Sequence, residues 1–242
     1  MNAFVTGVRA PAAAAIAALL LSGCNVGINE SIAIGPNESS RGAAVVNGSI
    51  DIGEDAQVNG DASTVNGDIT IDDGASVRSA NTVNGSVSLG DKATARSIKS
   101  VNGDIDLGQD AELEKSIKLV NGDIDLAPGA KVGGDVDIVA GGVSLRAAQV
   151  EGDVTTVSAD IELAEQSVIG GDLRVEKPDR GMSAEEPTIV VGPGSQVKGE
   201  LFFEAPARVF VSERAQIGGV RGVLSDGDIV RYAGDRPPEP SS

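Results

Sequence analysis

A three-residue motif, Val-Asn-Gly, returns at nearly constant intervals in the first half of this chain of 242 residues. The asparagines of its five copies are separated by 19, 18, 18 and 19 residues. They are Asn47, Asn66, Asn84, Asn102 and Asn121. A fixed period of this length is typical of stacked architectures, in which one unit cannot bury its apolar face without a neighbouring copy.

A second pattern, a small residue followed two positions later by an aliphatic one, continues the repeat. Its copies begin at Ala56, Ala75, Ala111, Ala130, Ala148, Ser195 and Ala215. Between the motifs, apolar and polar residues alternate over four or five positions, which is the period of a β-strand. In one coil the apolar pairs are Ile105 with Leu107, Ala111 with Leu113, and Ile117 with Leu119. We therefore predict an all-β fold, a single-stranded parallel β-helix (solenoid) with three short strands in each coil of 18–19 residues.

The composition suits the narrow interior of such a solenoid. The chain is 40% hydrophobic but only 2% aromatic, and it contains neither His nor Trp. Ordinary globular cores use large aromatic side chains to fill their volume, whereas stacked Val, Ile, Leu and Ala fill a thin prism. The formal net charge of -17 argues against a nucleic-acid partner, because phosphates are bound by clustered Lys and Arg and single-stranded bases stack on aromatic rings.

The first 24 residues have the pattern of an export signal. Arg9 precedes an apolar stretch, Ala10 to Leu21, that is too short to span a bilayer. The stretch ends in Leu21-Ser22-Gly23-Cys24, which resembles the lipobox of bacterial lipoproteins. The resemblance implies that residues 1–23 are a signal peptide and that Cys24, the only cysteine of the chain, carries the lipid. An ordinary cleaved signal, or an uncleaved helix, with an incidental cysteine is the alternative.

Asn25 follows the cysteine, where an aspartate retains lipoproteins of Gram-negative bacteria at the inner membrane. By resemblance, the protein is therefore expected to be lipid-anchored at the outer membrane, on either its periplasmic or its surface side. Several acyl chains give stable anchoring where a single chain would be marginal.

The repeat also sets the other boundaries. We expect a tether and N-terminal cap at residues 24–43, the solenoid at 44–232 and a disordered tail at 233–242. A charged segment with two prolines, residues 176–187, interrupts the period and predicts a loop inserted in one coil. The three phenylalanines that follow it, Phe202, Phe203 and Phe210, predict a larger core or a hydrophobic cap in the last rungs.

The coils resemble two groups of bacterial proteins. The Ala-x-Val-x-Gly pattern is similar to that of the bactofilins, polymer-forming proteins built from a right-handed β-helix. The Val-Asn-Gly-Asp-Ile units resemble those of bacterial proteins with adhesin-like β-strand repeats. These resemblances imply a right-handed solenoid and a structural or adhesive role.

No catalytic residues, metal ligands or cofactor are predicted. Because the chain lacks His, a Ser-His-Asp triad and a His-based metal site are excluded. Aspartates follow three of the five Val-Asn-Gly motifs, as Asp68, Asp104 and Asp123, and some acidic residues recur in adjacent coils, as Asp104 with Asp123 and Asp106 with Asp125. Carboxylates one rung apart repel each other, which raises the pKa of some of them and can favour the binding of Ca²⁺. If these acidic residues have only a structural role, they form a solvated face that discourages lateral aggregation.

These features favour a non-catalytic lipoprotein of the cell envelope that acts as a structural or interaction scaffold. Its expected partners are the membrane, through the lipid anchor, and a second copy of the chain, an envelope protein or a glycan. The asparagines are expected to form a structural ladder of amide hydrogen bonds at the turns. Two alternatives stay open: an adhesin or Ca²⁺-dependent glycan-binding module, and a carboxylate polysaccharide hydrolase or lyase.

Overall fold

A computed structural model describes residues 25–178 and 185–238, which form 27 β-strands and one short 3-10 helix, Asp226–Asp228. The first fourteen strands are β1 (Asn25–Gly27), β2 (Ile32–Ile34), β3 (Ser39–Ser40), β4 (Ala43–Asn47), β5 (Ile50–Ile52), β6 (Gln57–Asn66), β7 (Ile69–Ile71), β8 (Ser76–Asn81), β9 (Val87–Leu89), β10 (Thr94–Asn102), β11 (Ile105–Leu107), β12 (Glu112–Leu113), β13 (Ile117–Leu126) and β14 (Lys131–Val132). The other thirteen are β15 (Val136–Arg146), β16 (Gln149–Val150), β17 (Val154–Thr156), β18 (Asp160–Ala164), β19 (Val168–Ile169), β20 (Leu173–Val175), β21 (Thr188–Val191), β22 (Gln196–Val197), β23 (Leu201–Phe203), β24 (Arg208–Ser212), β25 (Gln216–Ile217), β26 (Val220–Gly222) and β27 (Val230–Tyr232).

The strands wind into a three-sided solenoid, and each side is a parallel sheet to which successive rungs contribute one segment. Face A contains β1, β4, β17, β20, β23 and β26, the C-terminal parts of β6, β8 and β10, and the N-terminal parts of β13 and β15. Face B contains β2, β5, β7, β9, β11, β18, β21, β24 and β27, and the C-terminal parts of β13 and β15. Face C contains β3, β12, β14, β16, β19, β22 and β25, and the N-terminal parts of β6, β8 and β10.

Equivalent positions of the sequence repeat lie above one another. Asn25 pairs with Ala43 and Val136 pairs with Val154, each at a spacing of 18 residues. The spacing grows to 28 between Leu173 and Leu201, because residues 176–187 lie between these strands. The described residues of that segment form no strand, and residues 179–184 lie outside the described part of the chain. The parallel β-solenoid predicted from the repeat is confirmed.

The solenoid has about 11 turns of about 19 residues, which at strand spacing make a rod roughly 50 Å long. Its first turn begins at Asn25, so the described part of the segment expected to be a tether and cap, residues 24–43, is built into the rod. Ile32 and Ile34 of that turn stack on Ile50 and Ile52 of the next. At the other end the last strand finishes at Tyr232, and residues 233–238 contain no strand. In the part of the chain that the structure describes, no helix is long and apolar enough to cross a bilayer.

The core consists of columns of aliphatic side chains that continue from rung to rung. On face B, Val87, Ile105, Ile124 and Val143 occupy one column and are at most 2% exposed. Four small residues of the second motif, Ala56, Ala75, Ala111 and Ala130, form a fully buried column beside face C together with Ala93, which the motif did not identify. Of the three C-terminal phenylalanines, Phe203 is fully buried, whereas Phe202 and Phe210 lie at half-buried positions. The larger core expected from all three therefore rests on Phe203.

Candidate functional site: the Val-Asn-Gly corner and the acidic face

Cys24, the predicted site of lipid attachment, lies outside the described residues, directly before the first strand. The next residue, Asn25, begins β1 and pairs with Ala43 of the second rung. A lipid on Cys24 would therefore be joined to the solenoid through a single peptide bond, with no intervening linker.

The asparagines of the motif form a continuous ladder along the corner between faces A and B. Each side-chain amide donates a hydrogen bond to the side-chain oxygen of the asparagine one rung earlier. The bonds are Asn47 to Asn29 (2.6 Å), Asn66 to Asn47 (2.7 Å), Asn84 to Asn66 (2.9 Å), Asn102 to Asn84 (3.0 Å) and Asn121 to Asn102 (3.1 Å). The motif did not identify Asn29, whose neighbours are Ile28 and Glu30. Its spacing of 18 residues from Asn47 is the signal that could have found it.

The glycine of each motif turns the chain at this corner with a positive φ. The φ angles of Gly48, Gly67, Gly85, Gly103 and Gly122 lie between 131° and 151°, a range that residues with a Cβ rarely adopt. A Cβ on Gly85 would overlap the carbonyl oxygen of Gly67 in the rung before it, and Gly103 stands in the same relation to Gly85. The motif therefore contains glycine because the rungs approach too closely for any side chain.

The residue after the glycine, Ser or Asp, forms a second ladder at the same corner. The backbone N–H of Ser86 donates to Asp68 Oδ1 (2.8 Å), that of Asp104 to Ser86 Oγ (3.1 Å), and that of Asp123 to Asp104 Oδ1 (2.9 Å). Each side-chain oxygen thus satisfies a backbone donor of the next rung. Asp104 and Asp123 are adjacent, as their positions in the repeat imply, and the carboxylate of Asp104 is occupied by the backbone N–H of Asp123.

At the other two corners, aspartate side chains likewise accept backbone N–H groups of the next rung. Between faces B and C, the N–H of Asp91 donates to Asp73 Oδ1 and the N–H of Gln109 donates to Asp91 Oδ1, both at 2.8 Å. Between faces C and A, the N–H of Asp153 donates to Asp135 Oδ1 at 3.0 Å and that of Asp172 to Asp153 Oδ1 at 2.8 Å. Aspartates at all three corners therefore join successive rungs.

A different set of carboxylates points outward from face B. Asp106 and Asp125 occupy the same outward position in neighbouring rungs, and Asp51 occupies it near the N-terminal end. Partial burial, and then the nearby carboxylates of Asp125 and Asp104, raise the pKa of Asp106 above its ordinary value of 3.8. The folded protein therefore resists ionisation of Asp106.

We expect Asp106→Asn to stabilise the protein at pH 7. Because the pKa of Asp106 is higher in the folded than in the unfolded chain, the folded state binds more protons between these two values. The ionisation of Asp106 thus lowers stability as the pH rises from 3.8 through the raised pKa, and the loss is constant above it. The substitution should raise the thermal midpoint by about 1–2 °C at pH 7 and leave it unchanged near pH 3, as measured by circular dichroism.

Asp51→Asn is the matched control, because its neighbours in the row, Ala33 and Thr70, carry no charge. It should change the midpoint less than Asp106→Asn at pH 7. An equal gain from both substitutions would show that crowding of carboxylates is not the cause.

Face B, the face with the outward carboxylates, also contains a shallow depression of about 260 Å³. Its floor is formed by Gly142 and Ser144, which stand where the preceding rung has Asp123 and Asp125. Asp160 and Glu162 of the following rung form the opposite side. The two acidic rungs are separated by two strand spacings, roughly 10 Å, whereas Ca²⁺ requires oxygen ligands within about 2.6 Å. Within residues 25–178 and 185–238, no group of three or more acidic or Cys side chains is placed to hold a metal ion.

The corners and the acidic face thus differ in what they can do. The corner side chains bind the neighbouring rungs, whereas the outward carboxylates of face B are available to solvent.

No protein-family model matches the sequence, and no curated protein or solved structure matches it significantly.

Proposed function

We propose that this protein is a non-catalytic lipoprotein of the bacterial outer membrane, and that its rod serves as a structural or interaction scaffold. The observation that carries the proposal is the set of side-chain ladders at the three corners. Ladders of Asn, Ser and Asp side chains add inter-rung hydrogen bonds to those of the parallel sheets. Such a rod is stiff along its length, as a spacer or docking platform requires.

The lipid anchor is supported by the sequence Leu21-Ser22-Gly23-Cys24. We expect Cys24→Ser in the full chain to move the protein from the membrane fraction to the soluble fraction, because serine lacks the thiol that accepts the lipid. Fractionation of cells, together with the mass of the N-terminal peptide, measures both attachment and acylation.

A thiol at another position provides the control. Ser76 lies on face C, and Cys24→Ser combined with Ser76→Cys restores one cysteine outside the lipobox. The double variant should stay soluble. Retention of the Cys24→Ser protein in the membrane fraction would refute the lipid anchor.

The second candidate is an adhesin or Ca²⁺-dependent glycan-binding module. The depression between Asp123, Asp125, Asp160 and Glu162 offers a ligand carboxylates on two sides, although one Ca²⁺ could contact only one of the two acidic rungs. A scaffold whose carboxylates repel each other but share no ion should show no shift of its thermal midpoint in millimolar Ca²⁺ beyond that caused by Mg²⁺. A ligand bound at 100 times its Kd stabilises a protein by about 2.7 kcal/mol. A rise specific to Ca²⁺, and lost in Asp160→Asn, would therefore favour the second candidate.

A carboxylate hydrolase or lyase has less support. Of the adjacent pair Asp104 and Asp123, the first accepts a backbone hydrogen bond from the second. Asp104 Oδ1 is therefore engaged in joining two rungs, whereas a general acid or base has to reach the substrate with its carboxyl group.

A further inference from the structure

The first rung lies within a few residues of the proposed lipid. Because β1 begins at Asn25, the backbone length limits how far the next residues can be from Cys24. An extended chain spans at most about 3.6 Å per residue, so the Cα atoms of Val26 and Ile28 lie within about 7 Å and about 14 Å of that of Cys24. If Cys24 carries acyl chains in the bilayer, these residues must lie in or beside the headgroup layer.

Both residues are aliphatic and exposed. Val26 is 47% exposed and Ile28 is 68% exposed. Ala44, the partner of Val26 in the second rung, is only 4% exposed. The end of the rod that adjoins Cys24 therefore presents apolar side chains that the described residues do not cover.

Charge disfavours contact between face B and the bilayer. The chain has a formal net charge of -17, and face B carries outward carboxylates along its length, among them Asp51, Asp106 and Asp125. A rod lying on face B would bring such groups against a surface that is itself anionic, which is unfavourable. Contact through the first rung leaves most of these carboxylates in solvent.

We propose that the N-terminal rung docks on the bilayer surface, with Val26 and Ile28 at the boundary between headgroups and acyl chains. This inference rests on the proposed lipid attachment at Cys24. The rod then stands on its N-terminal end, and its C-terminal rungs are held away from the membrane by roughly 50 Å at the spacing of parallel strands. Aliphatic side chains placed at this depth strengthen the attachment made by the acyl chains.

Depth-dependent quenching tests this docking. The full chain carrying Ile28→Cys is exported and acylated in bacteria, labelled at the new thiol with an environment-sensitive fluorophore, and reconstituted into phosphatidylethanolamine–phosphatidylglycerol vesicles. Val223→Cys is the matched control, because Val223 is 58% exposed in the last turn of the rod. Lipids that are brominated near the headgroup should reduce the fluorescence at residue 28 by about twofold, since interfacial side chains lie about 5–10 Å deep. The label at residue 223 should keep its fluorescence.

Flotation of the same vesicles separates the two proposals. Protein that floats but shows equal quenching at residues 28 and 223, or none at 28, would overturn the docking and leave the lipid anchor in place. Protein that does not float would overturn the anchor and the docking that rests on it. Circular dichroism of both labelled variants shows whether the β-solenoid is retained, and Val26→Cys provides a second label position should Ile28→Cys not fold.

Discussion

Replacing Gly141 with alanine is expected to lower the free energy of unfolding by about 3 kcal/mol. Gly141 has a φ of 123°, and a Cβ on it would overlap the carbonyl oxygen of Gly122 in the preceding rung. That oxygen belongs to the backbone and cannot rotate away. The rung could accept the methyl group only by moving from its neighbour, which would weaken the parallel pairing of β13 with β15.

The adjacent Gly142 provides a matched control. A Cβ on Gly142 would come within 3.1 Å of Asp123 Oδ1, the end of a side chain that can turn toward solvent. Gly142→Ala should therefore change the free energy of unfolding by less than about 1 kcal/mol. Urea denaturation followed by circular dichroism compares the two variants. Equal losses would mean that the corner does not depend on the absence of a Cβ at Gly141.

The substitution Ile124→Ala in the middle of the rod is expected to cost about 3–4 kcal/mol. Ile124 is fully buried and lies between Ile105 and Val143 in the face B column. The hydrogen bonds of both neighbouring rungs hold the backbone in place, so the structure cannot collapse around the missing atoms. The loss of stability then includes both the free energy of transferring the deleted atoms from water to the core and the cost of the cavity that remains.

Ile28→Ala removes the same atoms from a side chain that is 68% exposed. Measured in the Cys24→Ser background without detergent, Ile28→Ala should lower the free energy of unfolding by less than about 1 kcal/mol, because little buried surface is lost. Urea denaturation under the same conditions gives both values. A loss at Ile28 as large as that at Ile124 would contradict the assignment of the aliphatic columns as the source of stability.

The sequence allowed the architecture to be predicted because a repeat of 18–19 residues leaves few ways to bury its apolar positions. Strand alternation places Ile105 and Leu107 on one side of the backbone, and the period places Ile124 and Leu126 above them. The same arithmetic predicts the vertical contact between Asn102 and Asn121, which is a hydrogen bond of 3.1 Å. These contacts depend only on spacing along the chain.

The sequence did not indicate where the rod begins. Residues 25–40 lack the Val-Asn-Gly motif and are rich in turn-forming residues, and the sequence therefore predicts a tether and N-terminal cap at residues 24–43. They form a rung because the second rung offers them a parallel edge, on which Asn29 bonds to Asn47 and Ile32 pairs with Ile50. That edge exists only once the rest of the solenoid is folded.

The sequence by itself determined the strand period, the buried columns and the position of the asparagine ladder, because each follows from a periodic spacing. Only the tertiary structure decided which carboxylates are structural and which face solvent. Asp104 accepts a backbone N–H at a corner, whereas Asp106, two residues later, points outward beside Asp125. The two residues are the same in type and similar in context, and the path of the backbone at the corner, which depends on the neighbouring rungs, gives them different roles.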